Sequence, residues 1–472
     1  MTALTARTER CDVVVVGGGF AGLSAALRLE AAGCRFVVLE ASDRLGGRAR
    51  TDYRLADGRP LELGAQMVHG RTAVTHAWAM REGLHTRRLP VQQRSRIVVG
   101  RRVGSFPWYA LPFHPVVGAR ATYDGLVRVP REIESAGPPD RSLRQFLDAR
   151  PVIPAARQIV ELFYAHFSAA DPDAIGVLGP AEEYRRAREP YGFRNFQLVE
   201  GYSMLVDRAA ARWGGRVFRN LPVTEVIVDA DGVRVTAVDP AGTTVEFRAA
   251  GAIVTVPLGV LKSGTIDFDP PLPNAKRSAI ERIAFGDAYA VQLRLSGGNL
   301  RQRLGDFALL YGGTPTSLYR PGVGLRGVRD VVTGFTVGRE ARRRAGLPVP
   351  ELVAATVEEW RTMLPPKVYL GAVDGWAVHR WPVDPWVRGG YSFLPPGVGL
   401  DARRALAAPV EGRLFFAGEA TDVDGQSGTV AGAIDTGMRA AEEFLEANRS
   451  RGPTPSPLPL SRTATSGPEG SS

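Results

Sequence analysis

The stretch Cys11–Arg50, CDVVVVGGGFAGLSAALRLEAAGCRFVVLEASDRLGGRAR, decides the fold. It reads as an apolar strand, a glycine turn, an amphipathic helix and a second strand closed by Glu40. Gly17, Gly19 and Gly22 stand in G-x-G-x-x-G spacing. The first permits a sharp turn, the second lets backbone approach a pyrophosphate, and the third lets helix and strand pack closely. The helix that follows points its positive end at the phosphates. Glu40, 18 residues beyond Gly22, sits where a carboxylate accepts from ribose hydroxyls, which favours FAD or NAD over NADP. A glycine turn in another α/β protein shares the spacing, but not the strand, helix, second strand and acid together. Arg44-Leu45-Gly46-Gly47-Arg48 then offers more N–H groups and a guanidinium to one long diphosphate, which tips the choice to FAD.

At 472 residues the chain exceeds a single core, so two intertwined domains are expected. Apolar content of 44% and charged content of 23% are those of a soluble globular protein. No apolar run reaches membrane-spanning length, and MTALTARTER has no apolar core to act as a secretory signal, so the expected compartment is the cytoplasm. Cys11 and Cys34 read as small core residues in a reducing compartment. With six scattered histidines they show no metal-ligand spacing, and no metal is expected. The net charge of +10 comes almost wholly from arginine, since lysine occurs only at 262, 276 and 367. Arg185-Arg186 and Arg342-Arg343-Arg344 read as solvated helix faces. No nucleic-acid partner is expected, because the arginines are spread widely and not interleaved with aromatics.

Along the chain the fold class is α/β, a Rossmann-like FAD-binding domain intertwined with a mixed α+β substrate-binding domain. The expected division is a flexible N-terminus at 1–10, FAD-binding parts at 11–84, 199–285 and 406–448, substrate-domain parts at 85–198 and 286–405, and a disordered tail at 449–472. Periodicity predicts a hairpin at 96–105 and helices at 142–147 and 155–167. Another helix is expected from about 199 to 213. Strands are predicted at 223–229, 233–239, 244–249 and 252–256, with Asp231-Gly232 and Ala241-Gly242 as turns.

The second anchor is C-terminal. Phe415-Phe416-Ala417-Gly418-Glu419-Ala420-Thr421 is a buried strand running into a turn, and Gly425-Gln426-Ser427-Gly428-Thr429-Val430 opens the last helix. Such a helix start presents unpaired N–H groups and partial positive charge. On a flavin their natural target is the N1/C2 carbonyl edge. An ordinary strand-turn-helix has the same appearance.

Together these residues identify a family resemblance. From about 10 to 447 the chain resembles the flavin-containing amine oxidases, which include monoamine oxidases, polyamine oxidases and the oxidase domain of histone lysine demethylases. The motifs, in order, are GGGFAGL, LEASDRLGGRART, ELGAQMVHG, the helix start at 199–205, TVPLGVLK at 255–262, PPLP at 270–273, WPVDPWVRGGYS at 381–392 and FFAGEAT with its closing helix.

The resemblance implies that Glu40 holds the adenosine ribose, Arg48 the diphosphate and Val223 the adenine through its backbone. It implies that Glu419 holds the ribityl chain and that the Val430 N–H faces the flavin edge. Gly64, Ala65 and Gln66 would line the isoalloxazine, with Trp381 and Trp386 packed near it. Tyr391 would form one wall of an aromatic cage for the amine, a role that suits an aromatic face. His69 follows the flavin-lining loop, and the same position suits either a group tuning the amine's protonation or a loop histidine without catalytic part.

Three departures from the family pattern stand out. The place of the cysteine that bonds flavin in covalent members is Gly390, so FAD is expected to be non-covalent. The second cage aromatic is replaced by Thr429. The lysine usual in the strand after PPLP, thought to assist reaction with oxygen, is Ala290. The expected reaction is oxidation of a small neutral primary or secondary amine by hydride loss to flavin N5, with imine hydrolysis and molecular oxygen as acceptor, giving hydrogen peroxide. The alternative is an amino-acid or secondary-metabolite oxidase or dehydrogenase with low oxygen reactivity, and a remoter one is a flavoprotein scaffold without turnover. Oligomeric state is left open.

Overall fold

The computed structural model describes residues 7–90, 95–99, 102–105, 118–187, 194–307, 309–312, 316–323 and 331–451. The opening strand Val13–Val16 is buried along its whole length, as are Phe36–Leu39, Gly251–Val254 and Leu414–Phe416. Runs buried on both faces suit a parallel sheet. These strands form one, in the order Val217–Phe218, Phe36–Leu39, Val13–Val16, Gly251–Val254, Leu414–Phe416. The chain turns to opposite sides of Val13–Val16, which makes that strand the switch point where such sheets bind ligands beyond their carboxyl ends.

One face of this sheet is covered by the helix Phe20–Ala31 packed on the closing helix Val430–Ser450. Small residues allow the approach. A Cβ on Gly437 would lie 2.1 Å from the Ala21 carbonyl oxygen, and Ser24 Oγ donates to Ile434 O at 3.0 Å. The other face carries a second sheet built on the meander Val223–Asp229, Gly232–Val238 and Thr244–Ala249.

A seven-stranded sheet lies in the other half of the molecule, in the order Ala372–His379, Ala288–Ser296, Val331–Val337, Thr316–Tyr319, Leu309–Tyr311, Ser95–Val99, Arg102–Ser105. Its back is sealed by the helix Val349–Met363, whose Trp360 is fully buried against Gly334. Its front faces helices that include Val129–Glu134 and Pro154–Ser168.

Most predicted elements appear within a residue or two, including the helices Leu143–Asp148 and Pro154–Ser168 and the hairpin strands Ser95–Val99 and Arg102–Ser105. The N-terminus differs. Arg7–Arg10 is a strand, not flexible chain, because it pairs in parallel with the otherwise open edge of Thr244–Ala249. Of the predicted tail, residues 452–472 lie outside the described residues. Arg344 is not on a solvated face either. Its guanidinium is tucked in and paired with both Glu340 and Glu359. Burial pushes the Cys11 thiol up to about 12, so it is unreactive. No helix among the described residues is long and apolar enough to cross a membrane, and none of their His, Cys, Asp and Glu residues cluster as metal ligands.

Candidate functional site

The carboxyl ends of four parallel strands open into one cleft of about 1790 Å³. Gly17 follows Val13–Val16, Glu40 follows Phe36–Leu39, Thr255 follows Gly251–Val254, and Gly418 and Glu419 follow Leu414–Phe416; all line it. Of the site residues expected from sequence, every one except Gly22 contributes to its wall: Gly17, Gly19, Glu40, Arg48, Gly64, Ala65, Gln66, His69, Val223, Trp381, Trp386, Tyr391, Glu419, Thr429 and Val430.

Gly22 lies behind the turn, and the reason is steric. A Cβ there would sit 1.9 Å from Gly17 O. Gly17 itself has φ +109°, a left-handed conformation that favours glycine. Gly19 caps the helix Phe20–Ala31 without any side-chain bond, so the first-turn N–H groups remain open to a ligand. Added bulk on Gly19 would meet only Gly47 Cα, at 3.9 Å, which leaves room for a phosphate to approach.

Glu40 is buried and tied into the turn. Oε2 accepts the Gly18 N–H at 2.7 Å, while Oε1 accepts the Ser42 N–H at 2.8 Å and its hydroxyl at 2.7 Å. A carboxylate has about four acceptor positions, so one remains for a ribose hydroxyl. Arg44 closes the same loop, donating to the carbonyls of Leu45, Ala49 and Gly47.

Farther along, Arg48 Nη1 donates to Gly390 O at 2.9 Å and to Glu419 Oε1 at 2.8 Å. Glu419 also accepts from Ser392 Oγ at 2.6 Å and from the Gly428 N–H at 2.9 Å. The Arg48 guanidinium is the largest influence holding its carboxyl below the ordinary range, against the opposing cost of burial. Gly64 must be glycine, since a Cβ would lie 1.9 Å from Arg48 O and 2.9 Å from the Trp381 ring. Trp381 is buried and donates Nε1–H to Leu63 O at 2.8 Å, whereas Trp386 stands exposed on the rim.

The Tyr391 hydroxyl donates to the His166 carbonyl, and its ring lies over Gly428, where a Cβ would come within 3.2 Å of Cδ2. Thr429 caps the closing helix: its hydroxyl accepts the Gly432 N–H at 3.0 Å and donates to Gln426 O at 2.7 Å. His69 donates Nδ1–H to Asn195 Oδ1 at 2.7 Å, and burial lowers its pKa against that hydrogen bond. His166, which donates Nδ1–H to Leu162 O at 2.8 Å, is lowered by burial in the same way. Both imidazoles are therefore neutral at pH 7.

Sequence reasoning missed Asn195, His166, Ser317, Tyr319 and Phe335, which also line the cleft. No local motif marks them. Ala290 does not reach the wall; it is fully buried in Ala288–Ser296, with Phe335 and His379 as its neighbours across the sheet.

These residues fit a bound FAD. The glycine turn leaves open N–H groups on the cleft wall, and Gln66, which also lines the cleft, keeps its buried Nε2 without a protein partner. A Cβ at Gly390 would press within 3.1 Å of Ala288 Cβ, and neither cysteine borders the cleft, so no thiol is placed to bond the flavin.

The fold and the cleft thus define a dinucleotide-binding oxidoreductase. Residues 20–445 match the flavin-containing amine oxidoreductases, and the chain belongs to that family. It is an FAD-dependent amine oxidoreductase. It is 30% identical to polyamine oxidase 4 of Oryza sativa subsp. japonica, over 92% of this chain and 88% of that protein. Its fold is similar to that of putrescine oxidase bound to putrescine (TM-score 0.79, 23% identity, covering 93% of this chain and 100% of the other). Cyclohexylamine oxidase from Brevibacterium oxydans IH-35A is likewise similar in fold (TM-score 0.76, 21% identity, 93% and 99% coverage).

Proposed function

We propose that the protein oxidises a small primary or secondary amine to an imine, which water converts to a carbonyl compound. The observation that carries this reading is the placing of Tyr391, His69 and the loop Gly64–Gln66 in one cleft with the glycine turn and the closing-helix start. Bound FAD would supply the hydride acceptor, with oxygen as the proposed final acceptor of the electrons and hydrogen peroxide as its product.

The chain's own residues do the rest. Gly17, Gly19 and the open helix start would receive the diphosphate, Glu40 the adenosine ribose, and the Val223 backbone the adenine. Glu419, fixed by Arg48 and Ser392, would hold the ribityl chain, and the Val430 N–H stands at the closing-helix start. Tyr391 orients the amine by its aromatic face, held in place by its bond to the His166 carbonyl. The buried lining disfavours the ammonium form, so the nitrogen enters with its lone pair available. Neutral His69, its Nδ1–H given to Asn195, keeps only an acceptor nitrogen and adds no charge to the cleft.

The experiment is anaerobic mixing of the yellow holoenzyme with a panel of amines, then admission of air. Bleaching by an amine with formation of its carbonyl product supports the reading, and no bleaching across the panel defeats it. Ala290 favours a second reading of the acceptor alone, in which electrons leave to a partner other than oxygen. Slow return of the yellow colour in air would support it.

A further inference from the structure

Behind the cleft wall lies a guanidinium that the site described above does not use. Arg403, on the helix Leu400–Ala407, is fully buried and does not line the cleft. Its Nε donates to Glu183 Oε1 at 2.7 Å, and its Nη1 donates to Ser392 Oγ at 2.7 Å and to Ala420 O at 3.0 Å. Nη2 is buried without a protein hydrogen-bond partner.

Two of these contacts lead on to the wall. The Ser392 hydroxyl, while accepting from Arg403, donates to Glu419 Oε2 at 2.6 Å. Glu183, on the helix Leu178–Arg186, accepts from Ser427 Oγ at 3.0 Å. Its backbone carbonyl oxygen would lie 2.4 Å from a Cβ on Gly425. Gly425 and Ser427 belong to the loop that opens the closing helix, and the next residue, Gly428, gives its N–H to Glu419 Oε2 at 2.9 Å. Glu419, Ser427 and Gly428 all line the cleft. With Arg48 paired to Glu419, four charges run Arg48, Glu419, Arg403, Glu183 with alternating sign.

A buried ion pair is a poor device for stability alone, since well-packed apolar residues of similar volume often serve folding as well or better. The unpartnered Nη2 adds to the cost. What an apolar pair could not do is act on Glu419. Burial pushes that carboxyl up, and Arg48, the Ser392 bond and the Arg403 charge together outweigh it and hold the group below its ordinary range. Arg403 thus supports the ionised form of Glu419 across the Ser392 hydroxyl.

Resting on the reading above that Glu419 holds the cofactor, we infer that Arg403 is a positioning residue for FAD. It aims Glu419 across Ser392, and through Glu183 it braces the loop that opens the closing helix, so the two sides of the flavin end are set by one buried guanidinium.

The test follows release of FAD on dilution of the holoenzyme, read by the fluorescence of the freed flavin, beside the melting temperature. Arg403→Met strands the Glu183 carboxylate in the interior, so this variant should melt early and release FAD readily. Arg403→Met/Glu183→Gln removes both charges and keeps an oxygen to accept from Ser427. The double variant should recover most of the melting temperature lost in the single one, yet still hold FAD about tenfold more weakly than the native enzyme, the scale of one hydrogen bond to a charged group. Ser392→Ala, which leaves the pair of Arg403 and Glu183 intact, should weaken retention by a similar factor. If the double variant regains native retention together with its melting temperature, Arg403 is an ordinary structural ion-pair member and the inference is overturned. Native retention in Ser392→Ala overturns the route through that hydroxyl. Glu419→Gln separates the inference from the reading beneath it. Should Glu419→Gln keep FAD as tightly as the native enzyme, Glu419 does not hold the cofactor and that reading fails. Loss of FAD in Glu419→Gln beside native retention in the other variants removes the role of Arg403 and leaves the reading standing.

Discussion

The Arg48 guanidinium and the Glu419 carboxylate, 371 residues apart along the chain, meet at 2.8 Å and lock the two ends of the nucleotide fold across the cleft. Glu419 is nearly inaccessible while Arg48 keeps partial access to solvent. Removing one member of such a pair strands the other, at a cost of roughly 3 kcal/mol. Glu419→Gln should lower the melting temperature and weaken FAD retention together. Because pairing holds the folded carboxyl below its ordinary value, its stabilisation is present at neutral pH and lost as pH falls through that depressed value. The difference between wild type and Glu419→Gln, followed by thermal melts, should therefore shrink in strong acid. A constant difference down to pH 3 would show that the charge plays no part.

Gly22 contributes nothing to the cleft wall, yet its replacement should abolish cofactor binding. The 1.9 Å approach of an added Cβ to Gly17 O cannot be relieved without moving the backbone of the turn itself. Gly22→Ala should be purified colourless or should not accumulate, whereas Gly33→Ala, where nothing lies within 4 Å, tests only a left-handed turn. The absorbance ratio of bound flavin to protein decides it. A fully yellow Gly22→Ala would refute the packing argument.

The glycine turn, Glu40 and the closing strand and helix could be read from sequence because each is a local pattern with its own period and punctuation. The walls of the substrate arm could not. His69 finds Asn195 at a separation of 126 residues, and Ser95–Val99 pairs with Leu309–Tyr311 from the far side of the chain. Such pairings are set by tertiary packing, and a four-residue strand such as Thr316–Tyr319 is too short to show which side chains face a cavity. Trp381 and Trp386 share one motif and yet differ, one buried through its N–H bond to Leu63 and the other on the rim. Arg7–Arg10 gave no signal of its own because it is a strand only through its partner.

The pH dependence of amine oxidation should follow the substrate's ammonium and not a histidine. Burial keeps His69 and His166 below their ordinary pKa of about 6.5, so both stay neutral as pH rises from 7. Flavin reduction at subsaturating amine should climb between pH 7 and 9 as the free amine fraction grows. Exchanging the substrate for one with a lower ammonium pKa should move the limb by the same amount, and His69→Asn should leave the limb in place. Stability has the opposite edge. As pH falls through 6.5 the unfolded chain takes up protons that the folded histidines refuse, so melting temperature should drop progressively below that value. A limb that vanishes in His69→Asn would make His69 the titrating group.

Ala290 shares a strand face with Ala288, which lines the cleft, and with Gln292, whose Nε2 donates to Glu62 O at 2.8 Å. The position is fully buried, with Phe335 and His379 on the flanking strands. A lysine installed there would extend along this face toward the cleft, desolvated and without a carboxylate among those strand neighbours. Two effects should follow from Ala290→Lys. Melting temperature should fall, because an unpaired buried ammonium is costly. Reoxidation of the reduced enzyme by air, followed in a stopped-flow instrument, should quicken by about tenfold, the scale of one favourable interaction of roughly 1.4 kcal/mol at the reacting centre. Ala290→Met, of similar length without the charge, separates the two effects, since it fills the same space and should leave reoxidation at the native rate. Equal reoxidation in all three proteins would mean that this strand position has no hold on the reaction with oxygen.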